Sequence, residues 1–135
     1  MRLSLRIREL EGVTVISCRG RIAYRDEAEA LFLRASWLLK QKRGLVFDLS
    51  EVDEVDGAGL GKLAGIIAQA NQFETPVAFC GVTGLVREVL ELTRLSSVFP
   101  IYSSLDTAVR DIRTRLCPQQ PSTFPLEAVT PSTLL

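Results

Sequence analysis

The sequence predicts a single α/β domain with a mixed β-sheet, in which a leading antiparallel hairpin is followed by parallel βα units. Two observations favour this class. Short runs rich in aliphatic and β-branched residues alternate with longer segments of helical periodicity. Only the first two strand-like runs are directly adjacent, separated by the turn signal Glu11-Gly12. The predicted order is ββαβαβα(β)α, a sheet with about four helices packed against it.

The leading hairpin is predicted from two patterns. Leu3 to Arg8 alternates aliphatic with polar residues, which is typical of a half-buried strand. Val13 to Cys18 is rich in β-branched residues, and its short connection to the first strand favours antiparallel pairing. Gly20-Arg21 is expected to end the second strand and to open a loop.

The first helix is expected to begin with Asp26 as its N-cap and to run to about Lys42. Its predicted core face comprises Ala28, Leu31, Phe32, Ala35, Leu38 and Leu39. Leu33 and Trp37 fall on the opposite face, one turn apart. Three interpretations remain open for this pair: contact with the C-terminal tail, contact with a partner or a second copy, or no role, as for many single exposed apolar residues.

The centre of the sequence is a strand, an acidic turn and a glycine-rich helix. Residues 45–49 form a short apolar strand, expected to be parallel to the one before it. Residues 50–56 are interpreted as an acidic loop that ends in a helix cap. The helix over 57–73 has a predicted core face of Leu60, Leu63, Ala64 and Ile67 and an outer face of Ala58, Lys62, Gly65 and Gln69.

Four glycines in this helix, at 57, 59, 61 and 65, disfavour helix formation by about 1 kcal/mol for each interior position. Such a helix requires close approach of another group to its backbone. The neighbouring sheet and a docking partner are both candidates.

The last third of the sequence adds a strand at residues 76–80, a helix capped by Thr83 that runs to about Leu92, and a short extended segment at 101–102. Ser103 with Asp106 resembles a capping box at the start of a final helix. We therefore expect a domain at residues 1–117 and a Pro/Ser/Thr-rich tail at 118–135. The tail contains four of the six prolines and has no Lys or Arg.

Composition excludes several functions. The 135 residues are 47% hydrophobic and 24% charged, with 16 basic and 16 acidic side chains, so neither nucleic acid nor an anionic membrane is an expected partner. The sequence has no apolar run near the roughly 20 residues that span a bilayer, and no signal peptide is recognisable at its N-terminus. We therefore expect a cytoplasmic protein without membrane insertion.

Catalytic and metal chemistry are also poorly supported. The sequence has no His, which removes Ser-His-Asp and Cys-His arrangements and His-bearing zinc sites. Cys18, Cys80 and Cys117 are widely spaced, and the first two are in apolar strand-like runs where a reduced Cys behaves as a small hydrophobic residue. We expect no enzymatic activity, no cofactor and no metal.

Three segments together resemble the STAS domain family, the anti-sigma-factor antagonists. They are Gly20-Arg21-Ile22, LVFDLSEVDEVDGAGLGKL and VREVLELTRLSSVFPIYSSLDTAV, and the similarity covers roughly residues 3–115 in the order expected for the family. The resemblance implies a mixed sheet with packed helices. It also implies a bacterial signalling protein that binds a cognate anti-sigma factor, often a serine kinase, and so releases a sigma factor for transcription. The kinase silences the antagonist by phosphorylating one Ser.

The phosphorylation motif is altered in this sequence. It reads Asp56-Gly57-Ala58-Gly59-Leu60, and the resemblance places the phosphoacceptor at Ala58, which has no hydroxyl group. Arg21 stands where the family has an acidic residue. The expected partner-binding residues are Arg21, Asp26, Asp56, Gly57, Ala58, Gly59, Lys62 and Gly65. We expect a module that stays competent to bind and is not switched at position 58, with dimerisation left open.

Two alternatives remain. STAS-like proteins also serve as accessory subunits of membrane transport systems or as members of signalling scaffolds. More remotely, Gly57 to Gly61 resembles a phosphate-binding glycine loop. The spacing does not match GxGxxG, the glycines are expected to stand about eight residues past the strand, and Asp56 would repel a phosphate.

Overall fold

The computed structural model describes residues 3–23 and 25–116, without the side chain at position 25. They form five strands and four helices in the predicted order. The elements are β1 Ser4–Leu10, β2 Val13–Ile22, α1 Arg25–Lys40, β3 Leu45–Val55, α2 Gly57–Gln72, β4 Val77–Cys80, α3 Gly84–Leu92, β5 Ile101–Tyr102 and α4 Leu105–Leu116. The expected tail at residues 118–135 lies outside the described residues.

The sheet follows the order of the sequence, β1-β2-β3-β4-β5. β1 and β2 are antiparallel, and each later pair of neighbours is parallel. The predicted mixed α/β fold is therefore confirmed. Because the parallel strands advance in one direction, right-handed crossovers place α1, α2 and α3 on the same face.

Two apolar clusters flank the sheet. The larger joins α1, α2 and α3 to one face and contains the stacked rings of Phe47 and Phe79, whose centroids are 5.1 Å apart. The smaller lies under α4, where Ala108, Val109 and Ile112 pack against alternate strand residues. Neighbouring strand residues such as Val46 and Phe47 therefore belong to clusters on opposite faces of the sheet, because successive side chains of a strand point in opposite directions.

Two strands are longer than the sequence predicted. β2 continues through Gly20 to Ile22, and β3 continues through the acidic segment to Val55, so the loops expected at Gly20-Arg21 and at 50–56 are wrong. The extensions pair with each other, and register irregularities lie on either side of Gly20, whose φ is +107°. In β3, Val52 and Val55 are buried while the acids between them point outward. Glu54 pairs with Arg21 at 3.6 Å, so its charge is held beside a cation instead of in an open loop.

Three local predictions also need correction. α1 begins at Arg25, so Asp26 lies inside the first turn instead of acting as the N-cap. In the first turn its carboxylate still interacts favourably with the helix dipole. At α4 the capping group is Ser104, one residue after the predicted Ser103, because Ser104 Oγ accepts the Thr107 amide at 3.1 Å. Thr83 does occupy the N-cap position of α3, although its side chain makes no capping hydrogen bond.

The core face of α2 is rotated from the predicted one. Its buried residues are Gly59, Leu63, Ile66 and Ala70, whereas Leu60, Ala64 and Ile67 are only partly buried. The apolar residues of α2 cover more than one side, so periodicity alone did not fix the orientation. The small residues Gly59 and Ala70 face inward at opposite ends of the helix and let its backbone approach its neighbours.

Candidate functional site

The candidate site is built where β3 becomes α2. Asp56 is the N-cap of α2, and its Oδ1 accepts a hydrogen bond from the Gly59 amide at 2.8 Å. The Asp56 carbonyl accepts the Leu60 amide at 2.8 Å, and the Asp56 amide donates to the Ile22 carbonyl at 3.4 Å. Asp56 therefore fixes the first turn of α2 and ties it to the end of β2.

Gly59 allows that turn to lie against the sheet. A Cβ at position 59 would overlap the carbonyl oxygen of Ile22 and would also meet the Ile22 side chain. The backbone of β2 thus occupies the space that a side chain would need. At position 59, therefore, the group that approaches the helix backbone closely is the sheet.

The outer side of the same turn is small and open. Gly57, Ala58 and Gly61 are exposed, and a Cβ at Gly57 or Gly61 would have no heavy atom within 4 Å. A depression of about 360 Å³ is lined by Ala28, Glu29, Gly57, Ala58, Gly61 and Lys62. Its floor carries two methyl groups and two glycines, so a partner can approach the helix backbone closely there.

Lys62 lies at the side of this depression and is tied to α1. Its Nζ is 2.6 Å from Glu29 Oε1 and 4.8 Å from the centroid of the Phe32 ring. Glu29 and Phe32, three residues apart on one face of α1, were not among the predicted site residues. The helical period predicts that these two residues share a face of α1. The sequence does not show which part of α1 packs against α2, so their contact with Lys62 could not be predicted.

Gly65 was predicted on the outer face of α2, but it does not lie on an open surface. A Cβ there would lie 3.0 Å from Cε1 of Phe32, so α1 covers this position. The ring of Phe32 is therefore held between Lys62 and Gly65. A partner that approaches the depression meets positions 57, 58 and 61 first.

Arg21 and Asp26 flank the site from neighbouring elements. Arg21 is near the end of β2, one residue before Ile22, and its side chain pairs with Glu54. Asp26 is exposed in the first turn of α1, two residues before Ala28, which lines the depression. The structure thus places both on the elements that border the turn, and their contact with a partner stays a prediction.

The cysteines of the described chain have the properties of core residues. Cys18 and Cys80 are almost fully buried, as the sequence predicted. Burial, aided by the negative charge of Asp48, raises the pKa of Cys18 to about 12 and that of Cys80 to about 11. Both are therefore protonated near neutral pH and lack the thiolate that a nucleophile or a metal ligand needs.

Residues 3–23 and 25–116 offer neither a cluster of metal-binding side chains nor a membrane-spanning helix. This part of the chain contains no group of three or more His, Cys, Asp or Glu side chains placed to hold a metal ion. Among its helices, none combines the length and the hydropathy needed to cross a membrane.

The glycine-loop alternative changes with the new strand boundary. β3 ends at Val55, so Gly57 stands two residues past the strand and not eight. The chemistry still disfavours a phosphate, because the Gly59 amide is already donated to the Asp56 carboxylate. An anion at this helix terminus would have to displace a negative charge that is built into the turn.

Replacing Asp56 by Ala is expected to lower the free energy of unfolding by about 1 kcal/mol, because one amide of the first turn of α2 loses its acceptor. Urea denaturation followed by circular dichroism measures the change. Thr83→Ala is the matched control, since Thr83 is also an N-cap but makes no side-chain capping bond. Its effect should stay within about 0.5 kcal/mol. Equal losses in the two variants would contradict the role given to Asp56.

Comparison with known proteins identifies the family of the chain. The STAS domain family model matches residues 4–108, and the chain belongs to this family. BtrV of Bordetella bronchiseptica, provisionally named as an anti-sigma factor antagonist, is 28% identical over 115 residues, or 84% of this chain and 98% of BtrV. The protein is therefore a member of a family that includes anti-sigma factor antagonists.

Solved structures show the same fold. An anti-sigma factor antagonist from Mycobacterium paratuberculosis superposes with a TM-score of 0.72 at 28% identity, covering 82% of this chain and 94% of that one. A STAS domain protein from Planctomyces limnophilus gives a TM-score of 0.67 at 24% identity, covering 80% and 97%. The second likeness concerns the fold alone.

Proposed function

We propose that this protein is a non-enzymatic interaction module that binds an anti-sigma factor, of the kinase-like type, through the first turns of α2. The observation that supports this most directly is the open depression at Gly57, Ala58 and Gly61, which lies at the motif that the family uses for switching. The similarity to anti-sigma factor antagonists makes such a factor the partner to test.

The partner would dock on backbone and methyl groups. Asp56 holds the turn in one conformation, so little ordering is required on binding. Lys62 is already paired with Glu29, which leaves the centre of the depression without an unpaired charge from that lysine. Close packing of a complementary surface therefore accounts for recognition better than a single ion pair does.

The same surface would lack the family switch. Position 58 is Ala and has no hydroxyl group to accept phosphate. A phosphate would add about −1.5 to −2 charges and three oxygens at this point. Without it the depression keeps its shape and charge, so binding would depend on the amounts of the two proteins and not on phosphorylation at position 58.

Ala58→Asp is expected to weaken binding of the anti-sigma partner at least about tenfold, because it puts a charge and bulk into the depression. Isothermal titration against purified anti-sigma factors encoded beside the gene measures the dissociation constant. The matched control is Ala68→Asp, which adds the same group at an exposed position nearly three turns further along α2. It should leave the affinity nearly unchanged.

Two outcomes would count against the proposal. One is that no neighbouring anti-sigma factor binds the wild-type protein. The other is that Ala58→Asp and Ala68→Asp weaken binding equally, which would move the interface elsewhere. Capture of a transport-system subunit through Ala58 would keep the surface but change the partner to the accessory role considered above.

A further inference from the structure

An apolar groove lies at the edge of the helix layer, between α1 and the edge strand β1. Its volume is about 670 Å³, and its lining consists of Ile7, Ala30, Leu33, Arg34, Trp37 and Leu38. Leu33 and Trp37 are 57% and 59% exposed. Two large apolar side chains beside a concave surface are typical of a site that another segment covers.

Leu116, the last described residue, lies at the end of the sheet where α1 leads into β3. The Leu116 side chain packs where Gly44 leaves room, since a Cβ at Gly44 would lie 2.9 Å from Leu116 Cδ1. Arg43, next to Gly44, forms an ion pair with Glu9 of β1. Ile7, which lines the groove, is two residues before Glu9 on the same strand, about 7 Å from it. A short path thus leads from the end of α4 to the groove.

The sequence that follows Leu116 is long enough for this path. Phe124 is eight residues beyond Leu116, and eight extended residues span about 26 Å. The apolar residues of segment 118–135 are Phe124, Leu126, Val129, Leu134 and Leu135 together with Ala128. Phe124 and Leu126 are the first large apolar residues after Leu116 in the sequence.

Charge also fits this pairing. Glu127 is the only charged side chain in 118–135, and Arg34 lines the groove as an exposed cation. No ion pair of Arg34 is found among residues 3–23 and 25–116. The acid stands next to Leu126 in sequence, so docking of Phe124 and Leu126 brings opposite charges together at the rim.

We propose that segment 118–135 folds back onto this groove, with Phe124 and Leu126 against Leu33 and Trp37 and with Glu127 beside Arg34. This contact goes beyond the proposed partner binding, because it lies on α1 and β1 and not on the first turns of α2. The tether holds the segment at an effective concentration of the order of millimolar, so even weak apolar contacts suffice to keep it bound.

A second copy of the chain fits the groove less well. In a two-fold dimer the same patch meets itself, so the two Arg34 side chains would approach each other. Like charges at such a contact disfavour it. The tail brings the opposite charge and needs no second molecule.

Fluorescence of the full-length protein tests this contact, because Trp37 is the only tryptophan of the chain. The variant Phe124→Ser/Leu126→Ser should raise the acrylamide quenching constant of Trp37 about twofold and shift its emission to longer wavelength, since the ring loses its apolar cover. The exchange variant Phe124→Leu/Leu126→Phe keeps the apolar surface and should retain most of the protection. Thr130→Ser/Thr133→Ser is the control, because it changes two residues of the same segment but removes no large apolar side chain.

Each measurement is made over a hundredfold range of protein concentration, and circular dichroism confirms that the variants stay folded. Protection that is independent of concentration and lost only in the Ser variant supports the proposal. Equal quenching in the wild type and the Ser variant would refute it. Protection that appears only at high concentration would also refute it, because a second copy would then be the cover.

Discussion

Replacing Gly59 by Ala is expected to destabilise the protein by about 3 kcal/mol, at the upper end of the usual cost of overpacking a core. The added methyl group would overlap the Ile22 carbonyl, which is backbone and cannot rotate away. Either α2 must move off the sheet or β2 must shift, and both disturb the turn at Asp56. Urea or thermal unfolding followed by circular dichroism measures the change.

Gly61→Ala provides a control on the same helix. A Cβ at position 61 meets no heavy atom within 4 Å, so this variant only gains helix propensity. We expect it to be more stable than the wild type by up to about 1 kcal/mol. If Gly59→Ala and Gly61→Ala were both more stable than the wild type, the close contact that the structure shows between Gly59 and β2 would be contradicted.

Ala58→Ser is expected to restore a phosphoacceptor at the N-terminus of α2. If the partner is a serine kinase, incubation with that partner and ATP should add one phosphate to the variant and none to position 58 of the wild type. The modified form should bind at least about tenfold more weakly, or 1.4 kcal/mol, because the depression then carries charge and bulk. Intact-mass spectrometry followed by titration of the separated forms measures both effects.

The control for this prediction is the unmodified Ala58→Ser protein, whose hydroxyl group is small enough to leave the affinity near the wild-type value. The fold should also persist after modification, since a helix N-terminus tolerates negative charge. Phosphate at position 58 without any loss of affinity would contradict the assignment of the docking surface.

The order of elements and the mixed sheet followed from the sequence because each strand and helix has a local pattern. Val13 to Cys18 is β-branched, and α1 repeats its apolar residues at the helical period. The ends of β2 and β3 did not follow. Gly20 and the acids at 51, 53 and 54 look like loop residues in isolation, and their strand conformation depends on each strand pairing with the other.

The candidate site was similarly predictable only in part. The motif around Ala58 indicated where to look, and the N-cap role of Asp56 follows from its position before a helix. The burial of Gly59 and the cover over Gly65 were not readable. They depend on the rotation of α2, which brings Gly59 against Ile22 of β2 and Gly65 against Phe32 of α1. A single helix sequence contains no information about those distant neighbours.

The sequential strand order has a consequence for how the chain folds. Every strand pairs with the strand nearest to it in sequence, so each pairing can form soon after its second strand is made. α4 is the exception, since it packs back on β2, β3 and β4 and its Arg113 pairs with Glu11, 102 residues earlier. During synthesis the sheet and its three crossover helices can therefore assemble first. The face under α4 must wait for the end of the domain, so it is the surface most exposed to aggregation in a nascent chain.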